Sequence, residues 1–184
     1  MSADLRALHD SPFDLLVKLE DSLRTARMDF AAGQQESWIG LGFRLGDTWL
    51  VAPREEVKEV IVPPALTRIP RARPWFLGVS NVRGNLLPVV DLAQLIGSDA
   101  SAADSADRSR VLVLNSERVP VGFLVGEVAG YRQFAPADQR HRLLEDTGAL
   151  QPYLLGAFER DGRNWRAFSL HKVAESEAFK MAGY

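Results

Sequence analysis

Residues 78–92 read GVSNVRGNLLPVVDL, a run filled mostly by apolar residues with one positive charge, Arg83, near its centre. Gly84 follows that arginine directly. A glycine between two apolar runs marks a tight hairpin, because such turns need backbone φ above zero. The pattern predicts strands near 76–82 and 85–91 with Arg83-Gly84 as the turn. Pro88 lacks an N–H, so its strand is expected to be an edge strand or bulged there. Asp91 suits the cap of a short helical turn over Leu92–Leu95, which Gly97 ends. Glycine meets the geometry of the turn. The arginine is left over: either it points to water, or it is presented to something outside the fold.

The chain on either side has a similar texture. Trp38 to Val62 is rich in Trp, Ile, Leu, Phe and Val, broken by Gly46-Asp47, which predicts strands near 38–45 and 48–53. Residues 54–62, REEVKEVIV, fit a helical turn through Val57, Val60 and Ile61 or a strand starting at Glu59, and Pro63-Pro64 stops either. Residues 97–109, GSDASAADSADRS, carry no large apolar side chain and read as a linker or long exposed loop. Strands resume at 111–115 and 119–128, with a turn at Ser116-Glu117. A polar stretch, 135–150, then precedes PYLLGAFERDGRNWRAFSL at 152–170. Before all of these lies SPFDLLVKLEDSLRTARMDFAAG (11–33), where Ser11 and Pro12 suit a helix start and Leu15, Leu16, Leu19, Leu23, Ala26 and Phe30 recur at helical spacing. That amphipathic helix faces either the body of the protein or a partner.

An internal repeat organises these strands. Pro74-Trp75-Phe76-Leu77-Gly78 matches Pro152-Tyr153-Leu154-Leu155-Gly156 at an offset of 78, and the same offset carries Gly84 to Gly162, Val90 to Phe168 and Leu92 to Leu170. Upstream, GDTWLVAPREEV resembles NSERVPVGFLVGEV with a small length difference. At the hairpin the glycine recurs but Arg83 is replaced by Asp161, so the turn itself does not require a positive charge. Two similar β-units of about 65 residues, each too small to bury a large core alone, predict two small barrels packed together. The expected organisation is a helical extension over 1–35, a domain over 36–176 and a tail over 177–184. Within the domain, subdomain one spans about 36–97, a linker 98–109, and subdomain two about 110–174.

Composition narrows the function classes. The chain has 184 residues, 46% hydrophobic and 25% charged, with net charge −2, so no global field draws it onto nucleic acid or an anionic membrane. It has no cysteine, which excludes disulfides, thiolate metal sites and a cysteine nucleophile. The charged N-terminus lacks the apolar core of a signal peptide, and no run approaches the roughly 20 residues of a membrane span, so a soluble, cytoplasmic protein is expected. His9, His141 and His171 lie far apart and no serine sits in a nucleophile elbow, so no catalytic centre, metal or cofactor is expected. Gly40-Leu-Gly42-Phe-Arg-Leu-Gly46 has the wrong spacing for a dinucleotide fingerprint. One rival remains: Arg68, Arg71, Arg73 and Arg83, with Trp75 nearby, could serve a small barrel that binds single-stranded nucleic acid.

LGVSNVRGNLLPVVDLAQLIG (77–97) closely resembles the signature of CheW, the chemotaxis coupling protein family: hydrophobic-x-Gly-hydrophobic-x-Asn-hydrophobic-Arg-Gly, then hydrophobic-Pro-hydrophobic-hydrophobic-Asp-Leu. FRLGDTWLVAPREEVKEVI (43–61) and RVLVLNSERVPVGFLVGEV (110–128) extend the resemblance over roughly 37–175. It implies a mainly β fold of two pseudo-symmetric, SH3-like, five-stranded barrels, here with an N-terminal α-helix. It also implies a non-catalytic adaptor between the cytoplasmic tip of a methyl-accepting chemotaxis receptor and the regulatory domain of a CheA-type histidine kinase. Such an adaptor joins receptor arrays at the inner membrane only through its partners. Within the family the chain looks most like members from type IV pilus (twitching motility) chemosensory systems, with flagellar chemotaxis as the alternative.

By the same resemblance, Arg83 and Glu59 fall in the receptor-binding region, with Val57 and Val60 nearby and Asn81 in the motif. Each has a plainer reading. Arg83 could be a solvated turn residue, Asn81 a hydrogen-bonding partner inside the hairpin, Glu59 an exposed strand-end charge, and Val57 part of the core. An arginine fork that holds a carboxylate or carbonyl across an interface is, however, a frequent anchor.

Overall fold

Eleven strands carry the fold in a computed structural model that describes residues 37–98, 107–140 and 148–181. The helix expected near the N-terminus and most of the 98–109 linker lie outside the described residues. The first half contributes β1 (Trp38–Leu45), β2 (Thr48–Pro53), β3 (Val57–Ile61), β4 (Phe76–Val82), β5 (Asn85–Asp91) and helix α1 (Leu92–Leu95). The second contributes β6 (Arg110–Leu114), β7 (Gly122–Val125), β8 (Val128–Phe134), the two-residue β9 (Gln139–Arg140), β10 (Leu154–Arg160), β11 (Arg163–Phe168) and helices α2 (Leu170–Glu175) and α3 (Glu177–Lys180).

The strands form two sheets, in the orders β3-β6-β7-β5-β4 and β8-β1-β2-β11-β10-β9. Apart from the short β9, the orders are equivalent strand for strand, and the single parallel pairing falls at the same place in each, β5 on β7 and β11 on β2. Each sheet therefore combines a hairpin from one half with three strands from the other, and the short β9 extends the second sheet. The expected contiguous units, 36–97 and 110–174, do not coincide with the sheets, because β1-β2 and β6-β7 are exchanged between the halves. The crossing points show why. After Pro53 the chain makes a 3-10 turn through Arg54–Glu56 before β3. After Val125 it breaks at Gly126-Glu127, so the strand expected over 119–128 ends at β7, and a further strand, β8, begins at Val128. Equivalent bonds pin both crossings: Asn115 N–H donates to the Glu56 carbonyl at 2.9 Å, and Arg44 N–H to the Glu127 carbonyl at 2.8 Å.

The pseudo-symmetry reaches fine detail. Bulges at Phe76/Gly78 and Leu154/Gly156 keep the offset of 78. So do the bonds from Asp91 N–H to the Trp75 carbonyl (2.8 Å) and from Ser169 N–H to the Tyr153 carbonyl (2.9 Å). So do the helix caps: Asp91 Oδ1 accepts from Gln94 N–H, and Ser169 Oγ from Lys172 N–H. Asp91 is thus a cap, as its position in the sequence suggests. Pro88 is tolerated although β5 is interior, since β7 pairs only from Val89 onward.

Among the described residues, three apolar clusters fill the fold. The largest holds Phe43, Leu50, Val90, Leu112, Phe123, Phe168 and Leu170, drawn from both sheets. Leu87, Val89, Val111, Val113 and Leu124 form a second, aliphatic one within the β3–β7 sheet. The third lies in the other sheet and is aromatic: Phe134, Phe158 and Trp165, with Trp38 stacked on Phe158 at 4.9 Å. Glycines in β1 make room for these rings. A Cβ on Gly42 would stand 2.8 Å from the Trp165 ring, and one on Gly40 2.7 Å from Trp38. The Gly40-x-Gly42 pair therefore serves packing. The tail expected from 177 begins instead with α3, whose Phe179 stacks on Trp75 with ring centroids 6.3 Å apart.

Candidate functional site

The β4–β5 hairpin presents Arg83 at its tip. Both turn residues are left-handed, Arg83 with φ 53° and Gly84 with φ 85°, as a two-residue hairpin turn of the mirror-image kind requires. Asp161 and Gly162 repeat this in the second half, with φ 54° and 69°. Asparagine, aspartate and glycine accept this geometry readily and arginine does not. Asn81 Oδ1 accepts the Gly84 N–H at 2.8 Å, so this side chain closes the turn.

The Arg83 guanidinium reaches Glu59 on β3 at 2.9 Å; the arginine side chain stays 77% exposed and the glutamate 23%. The structure thus joins two residues that lie 24 positions apart in the sequence. The equivalent strand positions in the second half carry neither charge. Glu59 sits opposite Val113 just past the β3 bulge, and Gly130 sits opposite Gly42 just past the β8 bulge. With Asp161 in place of Arg83, the ion pair exists in one half only.

Around this pair runs a groove of about 520 Å³ lined by Lys58, Glu59, Val82, Arg83, Leu86 and Pro120, among others. Leu86, in the groove lining, is 72% exposed, whereas Val60, the strand neighbour of Glu59, is 37% exposed but lies outside that lining. Val57 is 6% exposed and belongs to the central core, so its side chain is not part of this surface. The bulge between Val57 and Glu59 separates the two roles. Leu86 escaped the sequence reading. Its signal was the alternation along β5, which puts it on the face of Val90 but beyond the reach of the central core.

A second feature gave no sequence signal. Glu56 is buried, and its carboxylate accepts from Ser169 Oγ at 2.8 Å and from the N–H groups of Leu170 (2.6 Å) and His171 (3.2 Å). It ties the first crossing to the start of α2 in the other half. Burial pushes its carboxyl above the ordinary value, although the Ser169 bond, the His171 N–H and charge, and the Leu170 N–H pull the other way.

Among the described residues, no group of three or more His, Cys, Asp or Glu side chains is placed to hold a metal, and no helix is long and apolar enough to cross a membrane. Trp75 is half-buried, with its ring stacked on Phe179 and edge-on to Phe76, so one of its faces is already taken.

Residues 40–178 match the CheW-like domain, and the chain belongs to the CheW-like family. Its relatives extend the match. Protein PilI of Pseudomonas aeruginosa is 37% identical over 171 residues, covering 92% of this chain and 94% of its own length. Protein FrzA of Myxococcus xanthus is 33% identical, over 70% of this chain and 78% of its own. The crystal structure of the scaffolding protein TtCheW from Thermoanaerobacter tengcongensis shares the fold, with a TM-score of 0.65 at 20% identity over 79% of this chain and 97% of its own.

Proposed function

We propose that this chain is a non-catalytic adaptor that couples the cytoplasmic tip of a methyl-accepting chemoreceptor to the regulatory domain of a CheA-type histidine kinase. The observation that carries this reading is the Arg83–Glu59 pair, present in one half of a pseudo-symmetric fold and replaced by Asp161 and Gly130 in the other. Folding explains the shared glycine and the shared left-handed turn; it does not explain the charge. Arg83, Glu59, Val60 and Leu86 form the receptor surface, with Asn81 holding the hairpin that presents it. Likeness to PilI over 92% of the chain favours a type IV pilus array, hence control of twitching motility, over flagellar chemotaxis. The adaptor works in the cytoplasm and reaches the inner membrane through its partners. Single-stranded nucleic acid is disfavoured by the packing of Trp75.

Co-purification with a receptor tip fragment and a kinase regulatory domain tests this. The wild-type chain is expected to retain both. Arg83→Ala is expected to lose receptor affinity by about tenfold or more, as interface arginine anchors do, with its melting temperature unchanged. Failure of the wild-type chain to bind either partner would overturn the adaptor reading, and full receptor binding by Arg83→Ala would remove this arginine from the surface.

A further inference from the structure

A second surface lies on the loop between β3 and β4. From Val60 to Val90 the chain has no acidic residue and four arginines, within a protein of net charge −2. Arg83 is paired with Glu59. Arg68, Arg71 and Arg73 form no ion pair among the described residues. Beside them opens a groove of about 670 Å³ lined by Pro64, Leu66, Arg68, Ile69, Arg73 and Leu77, among others. That size suits a few side chains of a ligand. Ile69 is 47% exposed.

The loop is held in place. Thr67 pairs with Val79 on β4 by two bonds, its N–H to the Val79 carbonyl at 2.8 Å and the reverse at 3.0 Å. A Cβ on Gly78 would stand 2.5 Å from the Thr67 carbonyl oxygen, so glycine is what lets the loop lie on the strand. Pro63, Pro64, Pro70 and Pro74 stiffen it further. Arg71 is left-handed, with φ 64°, which throws its side chain out of line with its neighbours'. A stiff loop loses little entropy when a ligand docks.

We propose that this groove binds an acidic peptide segment of a partner protein, with aliphatic side chains against Leu66, Ile69 and Leu77 and carboxylates on Arg68 and Arg73. Guanidinium groups favour carboxylates for their forked geometry. A concave groove that mixes aliphatic and cationic side chains suits a peptide chain better than a flat lipid surface. Nucleic acid would want several stacking faces, and Trp75, the one aromatic ring beside the arginines in the loop sequence, already stacks on Phe179. The site stands apart from the Arg83 surface and from the adaptor reading, and either can fail alone.

The test is fluorescence anisotropy on the full chain with a labelled Glu-Leu-Glu-Glu-Leu-Glu peptide. The same residues with lysine for glutamate, phosphatidylglycerol vesicles and a single-stranded oligonucleotide serve as competitors. The acidic peptide is expected to bind in the micromolar range, more weakly as salt rises. Affinity is expected to fall about tenfold or more in R68Q/R73Q and severalfold in Ile69→Ser, both with unchanged circular dichroism. No binding at millimolar peptide, equal binding by R68Q/R73Q, or preferential binding of the lysine peptide, vesicles or oligonucleotide would each overturn the proposal.

Discussion

Arg83 occupies a backbone conformation that arginine does not favour, and it does so at the tip of an otherwise well-formed hairpin. Its exposed ion pair with Glu59 adds at most about 1 kcal/mol. Relief of the left-handed strain has a similar size, so Arg83→Asn is expected to leave unfolding free energy unchanged or raise it by up to about 1 kcal/mol. Urea unfolding checks this, and a clear loss of stability would mean that the arginine serves the fold. Glu56 behaves in the opposite way. Glu56→Ala strands buried donors at the start of α2 and is expected to cost about 3 kcal/mol. Because burial raises its carboxyl in the folded state, the native chain keeps that proton to higher pH than the unfolded chain does. Its contribution is full below the unfolded carboxylate pKa, falls as pH rises through the raised folded value, and is flat above it. The stability of wild type relative to Glu56→Gln is therefore expected to decline from acid to neutral pH; a constant difference would contradict this. The glycine of the hairpin was legible in the sequence because only a turn explains it. Glu56 was not, since a glutamate in REEV gives no sign that three donors from α2 will surround it.

Most strands could be read from alternation and turn residues, and β1, β2, β4 and β5 fall where the pattern put them. The end of β7 at Val125 and the start of β8 at Val128 could not, because apolar residues and glycines continue from Val119 through Gly126 and resume at Val128 while the chain changes sheets. The glycines of β1 were ambiguous for a related reason: their purpose lies in Trp38 and Trp165, and Trp165 is distant in sequence. Gly42→Val is expected to cost about 2–3 kcal/mol by overpacking against Trp165, while Trp165→Ala costs about 3–5 kcal/mol through the cavity it leaves. Thermal unfolding of the two variants and their double mutant measures the coupling, and additive losses would contradict direct contact.

At the scale of the whole molecule, the repeat showed that there were two similar units but not how they share strands. Linear similarity assigns β1-β2 to the first unit, and the sheets assign them to the second. Neither half then holds a complete sheet. Fragments covering 1–97 and 108–184 are expected to be unfolded separately and to regain β-type circular dichroism when mixed; an independently folded fragment would contradict the strand exchange. The same strand exchange joins the two halves into one body, as the proposed contact with two partners at once would require. The most direct test of that claim is sedimentation of the chain with a receptor tip fragment and a kinase regulatory domain. One complex containing all three is expected, dependent on the chain. Displacement of one partner by the other, so that only pairwise complexes form, would contradict the adaptor account.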